Sequence, residues 1–376
     1  MIIKNGNVFT PEFKFEKHDV RIENGVIADI GDFGGGSGTL DAQGMYVIPG
    51  LIDQHTHGCL GGDWGDGRVE SMRTMSEYYG KNGVTSVAAT VTTLKVEDVE
   101  AAMRAVSAFS REQKRELAGA RVRGINLESM FLSHAKKGAH LEEYLRLPDA
   151  KLVERLNGES EGLLRIVNVA PELEGAIDFI RELGGRFVVS IAHTACSYET
   201  ALLAREAGAR QVTHFFNAMT PFLHREPGVP GAVFDSNLNA ELICDGVHVH
   251  PSVIRTVFKL MAERVIMISD SIRACGLSDG EYILGDLPVT VRAGRATLKD
   301  GTIAGSAASV MDDLRSVVSF GVPLEQAVRA ATANPAKTLG LDGCAGSILP
   351  GYDADIVVLD RALAVRSVFI GGKRLV

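Results

Sequence analysis

The chain has no long hydrophobic run. Across its 376 residues, no apolar stretch approaches the roughly 18 to 20 residues that a membrane-spanning helix needs. The first residues, "MIIKNGNVFTPEFKF", lack the basic region and the unbroken apolar core of a signal peptide. We therefore expect a cytoplasmic protein that does not associate with membranes.

Cysteines are few and scattered. None of the five belongs to a CxxC pair, which argues against a zinc ribbon, and their odd number does not suit a disulfide framework. We expect reduced and mostly buried thiols at Cys59, Cys196, Cys244, Cys275 and Cys344.

Blocks of lysine and arginine are also absent. The formal net charge is −8, which argues against a nucleic-acid partner. Hydrophobic residues make up 45% of the chain and charged residues 23%, as is usual for a globular enzyme. The length exceeds what one core usually serves, although α/β barrels of this size occur with small attachments. One large domain with an appendage is therefore expected.

Both chain ends have the pattern of short strands. The first fifty residues contain Asn-Gly turns and a glycine-rich connection at 34–38, and the final stretch "DADIVVLDRALAVRSVFIGGKRLV" alternates apolar residues around a Gly-Gly turn. We predict that residues 1–50 and 343–376 together form a small β-sandwich domain in which the two ends complete one sheet.

Between the ends, apolar β-rich runs alternate with segments of helical periodicity. Eight such runs imply eight βα units, and hence a (β/α)8 TIM-like barrel over residues 51–342. The runs are Leu51–His57, Val84–Val91, Val122–Glu128, Leu164–Ala170, Phe187–His193, Gln211–Phe215, Ala240–Asp245 and Val265–Asp270.

Polar side chains recur at the carboxyl ends of these runs, which ring one mouth of a barrel, where such enzymes have their active sites. In "GLIDQHTHG" the two-residue strand period predicts that Asp53, His55 and His57 share one face. A lone buried histidine is more often a hydrogen-bonded core residue than a ligand. Several at one rim instead indicate a metal site. The run ends are His55, His57, Glu128, His193, His214 and Asp270.

Glu128, His193 and His214 are the first candidate ligands, and their mixture of carboxylate and imidazole suits zinc, with iron, manganese, cobalt or nickel as alternatives. Asp270 ends an apolar strand, so it either meets a cation or a proton partner or caps the following segment. A metal lowers the pKa of bound water, and a carboxylate can move the proton. The pattern predicts metal-assisted hydrolysis.

Several longer motifs resemble one family. "PGLIDQHTHG", "LESMFLSHAKKGAH", "SIAHT", "THFFNAMTPFLHREPG", "ELICDGVHVHP", "ISDS" and "GTIAGS" together are similar to the N-acetylglucosamine-6-phosphate deacetylases of the amidohydrolase superfamily. HxH alone occurs in many amidohydrolases, whereas the combination of "HFFNAMTPFLHREPG" with "DGVHVHP" is specific to this branch. The resemblance covers nearly the whole chain and implies release of acetate from the acetamide of an amino-sugar 6-phosphate.

The resemblance also implies roles for individual residues. Asp270 matches the general acid/base, and His140 matches a residue that helps to polarise the acetyl carbonyl. His55 and His57 permit a second metal, although they could instead only orient the ligands of the first. Arg225 and His248 match residues that bind the 6-phosphate, often with one of them reaching across a dimer interface, so a homodimer is expected. Residues matching the sugar pocket are Ala139, Asn217, Ala218, Ile303, Ala304 and Gly305.

The sequence departs from the family after Glu128, where Ser129 and Met130 replace Gly-Pro, and at Arg273, which adds a charge near Asp270. These changes bear on substrate detail. One alternative is an amidohydrolase that acts on another N-acyl amino sugar, or on an N-acyl or cyclic amide. Most amidohydrolases that act on an N-acyl or cyclic amide carry a lysine after the fourth strand, where this chain has "NVAPE". A non-catalytic sugar-phosphate-binding protein is the other alternative.

Overall fold

The computed structural model describes residues 1–34, 38–116 and 118–376. Most of the predicted glycine-rich connection at 34–38 lies outside these ranges. The strands described are β1 (Ile2–Phe9), β2 (Phe15–Glu23), β3 (Val26–Gly31), β4 (Thr39–Asp41), β5 (Tyr46–Pro49), β6 (Leu51–Thr56), β7 (Gly58–Cys59), β8 (Gly62–Asp63), β9 (Val84–Val91), β10 (Arg121–Leu127), β11 (Leu164–Val169), β12 (Val188–Ile191), β13 (Gln211–Val212), β14 (Asn239–Ile243), β15 (Val265–Ile268), β16 (Gly280–Leu284), β17 (Leu287–Arg292), β18 (Arg295–Thr297), β19 (Ile303–Ser306), β20 (Ile356–Leu359), β21 (Val365–Ile370) and β22 (Lys373–Arg374).

Helices follow most of the barrel strands. They are α1 (Val69–Lys81), α2 (Val96–Gln113), α3 (Ala150–Glu159), α4 (Ala176–Leu183), α5 (Tyr198–Ala207), α6 (Gly228–Phe234), α7 (Pro251–Met261), α8 (Val310–Ser319), α9 (Leu324–Ala331) and α10 (Ala333–Thr338).

The middle of the chain forms the predicted barrel. Eight parallel strands pair in the order β6-β9-β10-β11-β12-β13-β14-β15, and a parallel bridge between Thr56 and Ser271 joins the two ends of the sheet. Strands such as β9 and β15 are buried along their whole length, because helices cover the outside and side chains fill the inside. The prediction of a (β/α)8 barrel is confirmed.

The two chain ends build one sheet, as predicted. Its order is β22-β21-β20-β5-β1-β2-β3, with β4 also paired to β1. β20 lies antiparallel to β5, so the C-terminal segment extends the N-terminal sheet directly. This sheet has its own hydrophobic cluster, which includes Ile3, Val20, Val47, Ile356 and Phe369. The domain boundaries 1–50, 51–342 and 343–376 stay a prediction.

A four-stranded antiparallel sheet, β16-β17-β18-β19, follows the last barrel strand. The sequence analysis did not predict it, although β17 alternates buried and more exposed residues. Its own small cluster includes Ile272, Leu284, Val289 and Ala304. Because β19 ends in a parallel bridge between Ser306 and Ser271, the sheet is attached at the barrel mouth.

All five cysteines are free, and four of them are buried, as expected. Among the described residues, no helix has both the length and the apolar character required to cross a bilayer.

Gly50 joins the small sheet to β6, and the backbone there passes very close to β9. A Cβ atom on Gly50 would lie 2.0 Å from Thr85 Oγ1, and Thr85 is only 1% exposed, so it has little room to move. We expect Gly50→Ala to lower the free energy of unfolding by about 1–3 kcal/mol, measured by urea denaturation.

Gly158 in α3 is the matched control, because a Cβ there meets no atom within 4 Å. Gly158→Ala should leave stability unchanged or raise it by up to about 1 kcal/mol. Equal stability of the two variants would contradict the close approach at Gly50.

Candidate active site

The predicted site residues meet at the carboxyl ends of the barrel strands. His57 and Glu128 directly follow β6 and β10, whereas His193, His214 and Asp270 each come two residues after β12, β13 and β15. All five line one cavity of about 430 Å³. The parallel order of the strands therefore brings together groups that are far apart in the sequence.

Glu128 lies at the centre of the cluster. Its Oε1 is 2.9 Å from His214 Nε2 and 3.2 Å from His193 Nε2. Its Oε2 is 3.1 Å from His57 Nε2 and 3.3 Å from His55 Nε2. One carboxylate thus faces two different pairs of imidazoles with its two oxygens.

Asp270 joins the His55 and His57 side of this cluster. Its Oδ1 is 3.2 Å from His57 Nε2 and 3.4 Å from His55 Nε2. His140 lies on the other side, where its Nε2 is 3.3 Å from His193 Nε2. The cluster therefore has two halves that share Glu128.

The backbone is strained at three of these positions. His193, His214 and Asp270 have φ angles of 41°, 30° and 49°, in the left-handed region that costs a residue with a Cβ about 1–2 kcal/mol. The turn at Asp270 is held by hydrogen bonds from Asp270 N to the His55 carbonyl, 2.9 Å, and from Ser306 N to the Asp270 carbonyl, 2.8 Å. Such strain is typical of functional sites, where the surrounding structure enforces it.

Hydrogen bonds at the far ring nitrogens orient three of the imidazoles. His193 Nδ1 donates to the Lys136 carbonyl at 2.8 Å, so Nε2 is the nitrogen that faces Glu128. His140 Nδ1 lies 2.7 Å from Thr93 Oγ1, and His55 Nδ1 lies 2.9 Å from Glu241 Oε2. Metal-binding histidines generally have such partners.

The electrostatics of the cluster follow from burial and proximity. Burial alone would raise the pKa values of Glu128 and Asp270, but His55 and the other histidines outweigh it, so the pKa values of both carboxyls are lowered. Burial lowers the pKa of His57, yet Asp270 and Glu128 outweigh it and raise that pKa to about 9. Burial and the neighbouring His193 lower the pKa of His140 to about 3. His140 is therefore neutral at physiological pH.

The arrangement fits a divalent metal. The Nε2 atoms of His193 and His214 face each other at 3.0 Å. Two imidazole nitrogens this close are more stable when they share a metal cation than when they compete for one proton. The buried Nε2 of His55 has no hydrogen-bond partner. Imidazole and carboxylate donors at these distances form the ligand set that zinc and similar ions prefer.

Asp53 does not share the face of His55 and His57, so the strict two-residue period is wrong here. The pairing of β6 with β9 shifts register between Asp53 and Thr56. Asp53 Oδ2 accepts a hydrogen bond from Ser269 Oγ at 2.5 Å, and burial raises its pKa to about 7. The irregularity turns both Gln54 and His55 towards Glu241.

Most of the residues predicted to bind substrate lie at the cavity, but two do not. Arg225 is on an exposed loop, where it contacts His224. Ala304 is buried in the hydrophobic cluster of the β16–β19 sheet. Those that line the cavity are Ala139, Asn217, Ala218, His248, Ile303 and Gly305, and His140, predicted to polarise the acetyl carbonyl, lines it as well.

Other cavity residues were missed by the sequence analysis. Lys136, Thr92 and Leu284 line the cavity. Asp245 Oδ2 accepts a hydrogen bond from His248 Nδ1 at 2.7 Å, which orients that ring. The position of Asp245 in "CDGVH", three residues before His248, could have indicated this pair.

Comparison with known families identifies the class of this protein. The model of the amidohydrolase family matches residues 46–375, and the chain belongs to this family. The match includes the barrel and all of the clustered histidines and carboxylates.

Individual relatives narrow the resemblance to the branch predicted from the motifs. The chain is 34% identical to an N-acetylgalactosamine-6-phosphate deacetylase of Escherichia coli O157:H7, over 99% of this chain and 98% of that protein. It is 37% identical to an N-acetylglucosamine-6-phosphate deacetylase of Bacillus subtilis, over 83% and 80%. A crystal structure of N-acetylglucosamine-6-phosphate deacetylase from Pasteurella multocida superposes with a TM-score of 0.93 at 26% identity, over 99% and 98%. The predicted resemblance is confirmed.

The raised pKa of His57 makes the stability of the metal-free protein depend on pH. Unfolded His57 has its ordinary pKa of 6.5, whereas in the fold the pKa is about 9. Its contribution is therefore complete below pH 6.5 and is lost as pH rises through about 9. We expect the melting temperature of chelator-treated protein to fall over this range.

Two comparisons test this assignment. His57→Gln should reduce the decrease in melting temperature between pH 6.5 and 9. His18→Gln, at a partly exposed position in β2, should not. Zinc should also reduce the fall, because the ion replaces the proton. A melting temperature independent of pH between 6.5 and 9 would contradict the assignment.

Proposed function

We propose that this protein hydrolyses the acetamide of N-acetyl-D-glucosamine 6-phosphate to D-glucosamine 6-phosphate and acetate, with a divalent metal, most simply zinc. The observation that carries the proposal is the shared carboxylate of Glu128 between two histidine pairs, with Asp270 beside it at the cavity. This is a site for metal-assisted proton transfer, and the similar proteins are named as amino-sugar-phosphate deacetylases.

Glu128, His193 and His214 would hold the first ion, and His55, His57 and Asp270 offer donors for a second. When bound, such an ion polarises the acetyl carbonyl and lowers the pKa of a water molecule. Asp270, which lies beside His55 and His57 at the cavity, can accept the proton of the attacking water. It then returns that proton to the departing amine.

His140 supplies a hydrogen-bond donor for the oxyanion. It is neutral because its pKa is about 3, so it carries one ring proton. If the Thr93 hydroxyl donates to Nδ1, that proton is on Nε2, which faces the cluster. A fixed N–H aimed at the developing negative charge stabilises the transition state more than the substrate.

The 6-phosphate requires cations near the cavity. His248 lines the cavity, Asp245 orients its Nδ1, and its buried Nε2 has no hydrogen-bond partner. Lys136 also lines the cavity. These groups supply one side of a phosphate site.

Arg225 fits this role best from a second copy of the chain. It lies on an exposed loop away from its own cavity, next to Phe222 and Leu223, which are 56% and 48% exposed. Exposed apolar side chains of this kind favour an interface. We therefore propose a homodimer in which each Arg225 binds the phosphate held by its partner.

The first test is acetate release by zinc-loaded protein from N-acetylglucosamine 6-phosphate, compared with the unphosphorylated sugar and with N-acetylgalactosamine 6-phosphate. The galacto substrate is included because one similar protein is named for it. We expect turnover of a phosphorylated sugar only. Turnover of neither phosphate, with the metal bound, would overturn the proposal and favour another N-acyl substrate, to which Ser129 and Met130 beside Glu128 would point.

Asp270→Asn should lower kcat by about 10²–10⁴-fold, because the variant cannot accept the proton. Asp286→Asn is the matched control. Asp286 accepts a hydrogen bond from Tyr144 at 3.2 Å on an exposed part of the β16–β19 sheet, and its loss should leave kcat unchanged. Near-normal turnover by Asp270→Asn would remove this residue from the mechanism.

A mixed-subunit experiment tests the role of Arg225. Arg225→Ala should raise KM for the phosphorylated sugar, because a charge-assisted contact is lost. In mixtures of Arg225→Ala chains with Asp270→Asn chains, a hybrid dimer has one site with both native residues if Arg225 acts across the interface. Activity should then exceed the sum of the two separate variants. Purely additive activity, or a monomeric protein, would contradict the exchange of Arg225.

A further inference from the structure

A fully buried carboxylate lies inside the barrel beneath the metal cluster. Glu241, on β14, is 0% exposed. Its Oε1 accepts hydrogen bonds from Gln54 Nε2 at 2.7 Å and from Gln211 Nε2 at 3.0 Å. Its Oε2 lies 2.9 Å from His55 Nδ1. Three donors from two strands, β6 and β13, therefore surround this one side chain.

The composition of this layer is unusual for a barrel interior. Barrel interiors are dominated by branched apolar side chains, and burying polar groups is unfavourable unless each is hydrogen-bonded. Gln54, Gln211 and Glu241 replace such a layer with a connected polar network. The side chain of Glu241 connects this network to the metal cluster through its contact with His55.

That contact determines which nitrogen of His55 can bind a metal. Glu241 accepts the Nδ1 proton, so Nε2 is the nitrogen that is left to bind a metal. This Nε2 is buried without a hydrogen-bond partner, 3.3 Å from Glu128 Oε2 and 3.4 Å from Asp270 Oδ1. A carboxylate on the far nitrogen also makes an imidazole a stronger metal ligand.

We propose that Glu241 is a positioning residue that makes His55 a metal ligand and so gives the site its capacity for a second divalent ion. This rests on the proposed metal-dependent function. The first ion position, at Glu128, His193 and His214, should survive the loss of Glu241. Its two histidines have side-chain hydrogen-bonding contacts with Lys136, Glu128, His140 and each other. The register shift in β6 contributes to this positioning of His55, since it directs both Gln54 and His55 towards Glu241.

The test is a metal count on chelator-treated protein titrated with zinc, read by elemental analysis and calorimetry. The wild type should bind two equivalents. Glu241→Gln keeps the size of the side chain, but its amide can present N–H to His55, which favours the wrong tautomer. We expect this variant to keep one tight site and to bind the second ion about 10–100-fold more weakly, the usual effect of losing such a partner.

Asp355→Asn is the matched control, because it makes the same change of carboxylate to amide at a buried position. Asp355 is 5% exposed and accepts a hydrogen bond from Gly371 N at 2.7 Å in the terminal sheet. It should destabilise the protein without changing the metal count. Glu241→Asp, which keeps the charge but shortens the reach, serves as the second variant if Glu241→Gln does not fold, and should also lose the second ion.

Wild-type affinity for both ions in Glu241→Gln or Glu241→Asp would overturn the proposal, as would a wild type that binds a single equivalent. The metal count uses no substrate. Failure of the deacetylase assignment would therefore appear only in the acetate assay, and failure of the role of Glu241 only in the count.

Discussion

The structure depends on holding one carboxylate out of water among imidazoles. Glu128 is 2% exposed, and its two oxygens face His214 and His193 on one side and His57 and His55 on the other. A buried carboxylate is tolerated only when charges or hydrogen bonds compensate for the lost water. The barrel meets this requirement because several of its strands end at the same rim, where their histidines surround Glu128.

Much of this could be predicted from the sequence, because it follows from the periodicity of the chain. The eight apolar runs became eight strands, and parallel strands necessarily bring Glu128, His193, His214 and Asp270 to one mouth. The terminal strands were predicted from the turns and the apolar alternation of the chain ends, and β20 pairs antiparallel with β5.

The remaining features depend on local geometry, which the hydrophobic periodicity of the sequence does not predict. Asp53 was misplaced because one register shift in β6 breaks the alternation. The β16–β19 sheet was missed because its strands lie outside the βα repeat. Glu241 sits within an apolar strand pattern, and its importance appears only when Gln54, Gln211 and His55 converge on it from other strands.

The left-handed backbone at His193, His214 and Asp270 has a consequence for ligand binding. These three turns store unfavourable conformational energy at the barrel mouth. A ligand that binds only the folded mouth stabilises the fold by mass action. Occupancy of the site would therefore offset part of the conformational energy that the three turns store.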